Sequence, residues 1–378
     1  MPLPLPADDD VLLEPPGAEE TTAEVRAMAA AVESGGTLTP LQRAVLEAVT
    51  KSMTGHAVDL GELPPFDAAA AAAPFARRNL MFRSRLVQVM LLGALVLRPL
   101  PEDVVDRATA MAAELGVDEQ LIPVARRFAD GALGLAGIDF ERNGYTAEWH
   151  PDDARFLHTS RQLQDAWESA VADAPLAARW RELEDLPGGS LGRRVTELYR
   201  ARGFVYPGMP GSAPPLLAQH DWVHVLADYG TTVEAELEVF AFIARANDDL
   251  RAFSLLAMVV SLFETGYLRT GAGLFQADTG HLSAGSNVVV RMADAMRRGA
   301  RCTGSVDFLG VDWFELAPLP VDEVRRRFGV EPKSPEAIAA GSVGPWERGG
   351  ISPFQLRAGQ DAARAAGAEY DAFGASVA

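Results

Sequence analysis

His220-Asp221-Trp222-Val223-His224 is the stretch on which the reading of this chain turns, together with Glu236, which follows it after eleven residues. On an α-helix each residue advances about 100°, so His220 and His224 lie roughly 40° apart and Asp221 roughly 100° from His220. All three can face one point while Trp222 projects the other way. Glu236 cannot share that helix, because twelve residues at about 1.5 Å each would carry it about 18 Å along the axis. The spacing therefore predicts a fold-back. Ala227-Asp228-Tyr229-Gly230-Thr231-Thr232 supplies it, with Gly230 as the stop and Thr231-Thr232-Val233-Glu234 as a capping box for a second helix.

On the second helix Glu236 shares a stripe with Val233, Phe240 and Ile243, while Glu234 and Glu238 fall on the opposite, solvated face. A carboxylate on an apolar stripe needs a partner, because burying it unpaired is costly. Two imidazoles and two carboxylates on an antiparallel helix pair suit a divalent metal, with nitrogen and oxygen donors and no thiolate. The other reading of the same residues is that His220 and His224 lie on a helix surface and Glu236 pairs with an arginine.

The rest of the chain bounds what such a site could serve. With 378 residues, two domains are expected, and 48% hydrophobic content is ample for a core. A formal net charge of −18 argues against nucleic acid and against electrostatic docking on anionic lipid, both of which need basic patches. Apolar contact with lipid stays open. Basic residues are nearly all arginine and alanines abound, a composition of GC-rich bacterial genomes. The lone cysteine, Cys302, permits neither an internal disulfide nor a cysteine metal cluster, and a cytoplasmic location fits. The acidic, proline-rich N-terminus does not read as a signal peptide, and the longest apolar run, Leu86 to Leu97, is too short to span a bilayer.

Taken in order, the chain reads as all-α. Residues 1–36 are expected as a flexible arm, acidic and rich in proline and alanine, ending in a short helix. Residues 37–150 read as a helical bundle, 151–332 as a second helical domain, and 333–378 as a mobile tail. Thr39-Pro40-Leu41-Gln42 is a firm start signal. It opens a helix with Leu41, Val45, Ala48 and Val49 on one side. Further helices are expected over Phe75 to Leu97, Glu102 to Leu115, Asp118 (as cap) to Leu135, and Phe156 to Val171. His56, His150 and His158 are isolated and read as surface or core residues. Leu186-Pro187-Gly188-Gly189-Ser190-Leu191-Gly192 is a loop that could cradle an anion at a helix N-terminus, although it is neither a P-loop nor a dinucleotide fingerprint. Leu250 to Leu268 is apolar nearly all round, the pattern of a central helix or of a lipid-pocket wall. The helix Asn287 to Arg301 carries Arg291, Arg297, Arg298 and Arg301, read as a solvated face that could also receive an anion.

Residues of about 183 to 332 resemble the Coq-four family of ubiquinone biosynthesis. Four pieces carry the resemblance: the glycine loop 186–192 leading into a helix with Tyr199; Gly203-Phe204 and the proline loop after it; the histidine motif with Glu236; and Val311-Asp312-Trp313-Phe314-Glu315 with Pro320 and Val324-Arg325. The N-terminal helices resemble, in their order and in the turn before Glu102, the tellurite-resistance TerB-like domains. The Coq-four resemblance implies an all-helical domain in which His220, Asp221, His224 and Glu236 bind a divalent metal, usually zinc, with iron or manganese as alternatives. It implies removal of the ring carboxylate and hydroxylation at that carbon of a prenylated quinone precursor, with His220 and Asp221 closest to the chemistry. It also implies an isoprenoid lipid partner, contact with other quinone-biosynthesis proteins, a peripheral place at the membrane, and compatibility with a homodimer. The Arg- and Ala-rich composition leaves open whether the host makes ubiquinone at all.

Three functions compete at this point. One is a metal-dependent enzyme on a prenylated aromatic acid, with Asp221 as ligand or base. The second is a non-catalytic isoprenoid-binding scaffold with a structural metal. The third is an HD-type phosphohydrolase, to which Asp248 or Asp249 would contribute. A zinc protease would want glutamate where Asp221 stands.

Overall fold

The computed structural model describes residues 16–130, 172–210, 212, 215–249, 252–267 and 279–377. The linker expected over 139–151, the helix expected over 156–171, His150 and His158 lie outside these residues. The described residues are all-α: helices and turns, with three isolated bridges and no strand. They divide into two compact units. The first takes residues up to 130, then 249, 252–267 and 279–297; the second takes 172–248 and 298–377. Segments of the span 151–332 therefore pack with the N-terminal helices.

Six helices open the chain: α1 (Ala18–Val32), α2 (Pro40–Thr54), α3 (Ala68–Ala72), α4 (Leu80–Leu95), α5 (Glu102–Glu114) and α6 (Leu121–Ala129). The expected loose arm is, from Ala18 onward, a helix of this bundle. α1 buries Val25, Met28, Ala29 and Val32 and packs on α4 and α5. Thr39 and Gln42 form the expected capping box, with Pro40 at the first helical position. Gln42 is itself fully buried, and its amide donates to Val32 O (2.6 Å) and Gly93 O (3.0 Å), tying α1, α2 and α4 together. The buried face of α2 is thus Gln42, Val45, Leu46, Val49 and Thr50, with Leu41 and Ala48 half-buried. α4 starts at the Asn79 cap rather than at Phe75, and α6 starts after Gln120 with no side-chain cap from Asp118.

The second unit opens with α7 (Ala174–Glu182), α8 (Leu191–Arg202), α9 (Pro215–Ala227) and α10 (Val233–Ala246). The chain then returns to the first unit with α11 (Phe253–Val260), which runs on into a π-helical turn, Ser261–Thr265. Only Met258 along α11 escapes full burial, as its nearly uniform apolar composition predicts. α12 (Ser286–Ala300) follows, then α13 (Trp313–Leu316), α14 (Val321–Phe328), α15 (Pro335–Ala339) and α16 (Pro353–Ala365). No described helix is long and apolar enough to cross a membrane.

The glycine loop serves the fold. Ser190 caps α8, and the next amides are already committed: Leu191 N to Leu319 O (2.8 Å) and Gly192 N to Ala317 O (2.9 Å). A Cβ on Gly192 would come 2.8 Å from Ala317 Cβ, so only glycine lets the two backbones meet. The first amides of α8 are therefore not open to an anion: two are spent on Leu319 O and Ala317 O, and the next on Ser190 Oγ. The arginines of α12 are not a uniformly solvated face either. Arg298 is 2% exposed and donates to Ala227 O and Glu331 O, and Arg291 is buried.

Residues 333–377 pack against α8 and the turn after α9, in place of the loose tail their composition suggests. Arg202, at the end of α8 and fully buried, donates to Thr231 Oγ1, Pro345 O and Gly350 O. Tyr370 OH donates to Ala201 O, and Gly359 lies so close to Ala201 O that a Cβ would sit 2.2 Å from it. One arginine thus holds the C-terminal segment to the turn that links α9 to α10.

Candidate metal centre

α9 is buried on every face from Ala218 to Ala227, and α10 from Ala235 to Ala244. Polar side chains inside such a pair have to satisfy one another. Trp222 leaves the polar side as expected, stacking on Trp313 (ring centroids 5.9 Å, planes 4° apart) and meeting Trp180 at a tilt (5.4 Å, 53°). That packing fixes the rotation of α9 and hence where His220, Asp221 and His224 point.

The reversal after α9 differs in detail from the expectation. Asp228, not Gly230, takes the left-handed conformation (φ 64°), and Tyr229 N closes on His224 O at 3.0 Å. Aspartate tolerates that region better than most residues, and Lys333 Nζ stands 3.2 Å from its carboxylate. Gly230 is there for space: a Cβ would lie 2.8 Å from Gly350 Cα. The cap of α10 is Thr232, whose hydroxyl accepts from Ala235 N at 3.3 Å. Thr231 instead bonds Gln355 Oε1 at 2.6 Å.

The reversal brings Glu236 onto the two imidazoles. Its Oε2 lies 3.1 Å from His220 Nε2 and its Oε1 lies 3.4 Å from His224 Nε2. Asp221 Oδ1 is 3.7 Å from His220 Nε2. His220, Asp221, His224 and Glu236 are 3%, 6%, 0% and 3% exposed, which rules out the surface-histidine reading, and Glu236 has imidazoles rather than an arginine as partners. Glu238, expected on a wet face, is fully buried too. Phe240 covers one face of His220, with ring centroids 5.1 Å apart.

The protonation pattern follows from the partners. His224 Nδ1 lies 2.7 Å from Gly230 O, a carbonyl that can only accept, so Nδ1 carries the proton. Nε2 is left with its lone pair, buried and without a hydrogen-bond partner, facing the Glu236 carboxylate. A lone pair and a carboxylate that face each other in a dry interior call for positive charge between them, a proton in the metal-free protein or a metal ion in its place. Tyr199 OH donates to Asp221 Oδ2 at 2.6 Å. Burial and the neighbouring Asp221 push the Tyr199 hydroxyl well above the ordinary phenol range, which keeps it a donor. Burial is the largest influence on both carboxyls. At Asp221 it wins, raising the carboxyl against the opposing pull of both histidines and Tyr199. At Glu236 attraction to the two imidazoles, with the hydrogen bond from His220, overcomes it and holds the carboxyl at about 2. The nearer approach of Glu236 to both rings accounts for the opposite outcomes.

His220, Asp221 and His224 form a group that could hold a divalent ion. Donor atoms about 2.1 Å from a tetrahedral centre stand about 3.4 Å apart. Here the two Glu236 oxygens stand 3.1 and 3.4 Å from separate imidazoles, and Asp221 Oδ1 stands 3.7 Å from His220 Nε2, separations of that order. His220, Asp221 and His224 each offer a ligand atom within 4.8 Å of the others. Glu236 reaches both imidazoles from the facing helix. Among the residues considered for the phosphohydrolase, Asp248 is exposed and lies beyond the far end of α10, about 15 Å of helix from Glu236. Burial pushes the Cys302 thiol up to about 12 against the pull of Arg298, which leaves it inert. Sequence reasoning missed Tyr199 and the Gly230 carbonyl as parts of the site. Tyr199 carries no spacing signal toward α9, and a backbone carbonyl has no sequence signature.

No family model matches the chain, and no curated protein matches it. Among solved structures, the crystal structure of a protein from Nostoc punctiforme PCC 73102, provisionally described as a ubiquinone biosynthesis protein, aligns with 66% of this chain and 97% of its own length. The identity is 18% and the TM-score 0.30.

Proposed function

We propose that this chain is a divalent-metal protein of quinone or prenylated-aromatic biosynthesis, acting on the carboxyl-bearing ring carbon of a prenylated aromatic acid. The observation that carries the metal is His224, with Nδ1 committed to Gly230 O and a buried, unpartnered Nε2 aimed at Glu236. The substrate class rests on the Coq-four resemblance of the histidine motif and the glycine loop. His220, Asp221, His224 and Glu236 would hold the ion, with zinc expected and iron or manganese suited to the same donors. A bound divalent ion supplies Lewis-acid stabilisation of a carboxylate or phenolate, or oxygen chemistry if it is iron.

This chain's residues do the remaining work. Gly230 O fixes the His224 tautomer and ring plane, in the manner of the partners that orient metal-binding histidines. Phe240 screens His220 from water, which keeps local electrostatics strong. Asp221 is the second carboxylate of the donor set, held from behind by the Tyr199 hydroxyl.

The count of four protein donors favours a second reading, a lipid-binding scaffold with a structural metal, because catalytic sites keep one position open. Incubating the metal-loaded protein with a prenylated 4-hydroxybenzoate and following the product mass separates the two. Loss of the carboxyl group dependent on His220 supports catalysis. Retained substrate bound without turnover supports the scaffold, and neither binding nor turnover removes the substrate class.

A further inference from the structure

We propose that Tyr199 is a positioning residue for the metal centre: its hydroxyl claims Asp221 Oδ2, so that Asp221 offers the ion one oxygen, Oδ1. The inference rests on the metal reading above and deepens it.

The Tyr199 ring is 1% exposed and wedged among Trp180, Phe204 and Tyr206, at centroid separations of 4.9, 5.5 and 5.6 Å. It has no room to swing. Its position is set by α8, which the Ser190 cap and the glycine loop hold in place. A hydroxyl-to-carboxylate bond of 2.6 Å is short and charge-assisted, and it ties up the oxygen it reaches. The remaining oxygen, Oδ1, is the one recorded near the imidazoles, 3.7 Å from His220 Nε2. The arrangement mirrors that of His224, whose rear nitrogen is held by Gly230 O. On two donors, then, the atom pointing away from the centre is pinned and the atom pointing toward it is left free.

Tyr206 is the control that the fold provides. It belongs to the same aromatic cluster, yet its hydroxyl donates to Glu184 Oε1 at 2.7 Å, away from the donor set. The test titrates zinc and cobalt(II) into the wild type, Tyr199→Phe and Tyr206→Phe in competition with a chromophoric chelator. It also records the visible spectrum of each cobalt form, and circular dichroism of each metal-free form checks the fold. Tyr199→Phe is expected to bind about 10–100-fold more weakly, the usual cost of removing an outer partner of a ligand. Its cobalt spectrum should change as Asp221 leaves or turns to two-oxygen binding, while Tyr206→Phe keeps wild-type affinity and spectrum. Unchanged affinity and spectrum in Tyr199→Phe overturn the inference and leave the metal reading standing. Equal losses in both variants overturn it as well, since a purely structural hydroxyl would behave that way. A wild type that binds neither metal overturns the metal reading itself, and this inference with it. Should Tyr199→Phe fail to fold, 3-fluorotyrosine labelling of the wild type decides. The six tyrosines give separable fluorine signals, assigned with single variants of the other five. Zinc must then shift the Tyr199 signal and leave that of Tyr206 in place, and a static Tyr199 signal refutes the role.

Discussion

Glu236→Gln removes one charge from the centre of the helix pair and keeps the shape of the side chain. The wild-type carboxyl is held at about 2 against an ordinary 4.5. At about 1.4 kcal/mol per tenfold, that gap favours the ionised form in the folded protein by on the order of 3 kcal/mol. Glutamine resembles the neutral form, so the metal-free variant should be less stable by that order at pH 7. The sign is fixed by the direction of the shift. A depressed carboxyl contributes its stability above its ordinary value and loses it as pH falls from about 4.5 toward 2. The two stability curves should therefore converge in acid. Asp221 works the other way, because its raised carboxyl weakens the fold above its ordinary value of 3.8 and relieves it in acid. It is present in both proteins, but loss of the Glu236 charge, one of the influences that raise it, relaxes part of its shift in the variant. The metal effect is separate. Two unit charges 4 Å apart at an effective dielectric constant of 20 interact by about 4 kcal/mol, so loss of an anionic donor should weaken zinc binding about a thousandfold. Urea unfolding in the presence of a chelator, repeated from pH 2 to 8, reads the first quantity, and zinc competition reads the second. A variant with wild-type zinc affinity, or with a stability deficit that does not close in acid, refutes the reasoning.

Other parts of the structure give their own expectations. Trp222→Ala opens a cavity between Trp180 and Trp313 and should cost about 4 kcal/mol in chemical denaturation. Arg202→Met strands Thr231 and two carbonyls in the interior; a loss of roughly 3 kcal/mol and faster proteolysis beyond residue 342 are expected. Gly230→Ala places a methyl 2.8 Å from Gly350 Cα and displaces the carbonyl that orients His224. It should lower both the melting temperature and zinc affinity, whereas Gly188→Ala, which meets nothing within 4 Å, should change neither by a measurable amount.

The helices were legible where capping chemistry and periodicity agree, as at Thr39-Pro40-Leu41-Gln42 and along the nearly uniform apolar run of α11. The histidine motif was legible because i, i+1 and i+4 spacing on a helix leaves few outcomes, and the turn after Ala227 forced a reversal. What could not be read came from tertiary contacts. Glu238 looks solvated by periodicity, yet α10 is covered on all sides, so its face carries no polarity signal. The role of Gly230 depends on Gly350, which lies far along the chain. The C-terminal segment looks loose by composition because its proline, glycine and alanine residues have little side-chain packing of their own. It is held instead through its backbone carbonyls, by Arg202. Arg298 likewise spends its Nε and Nη2 on backbone carbonyls, which no charge pattern announces.

The central claim is that four donors on two antiparallel helices enclose one divalent ion. The most direct test is elemental analysis of the purified chain combined with X-ray absorption at the edge of whichever metal is found. One ion per chain, with two imidazole nitrogens and oxygen donors in its shell and lost in the His220→Ala/His224→Ala double variant, is the predicted result. A chain that carries no metal after expression and purification in metal-supplemented, chelator-free conditions, or a double variant that keeps its full complement, would contradict it.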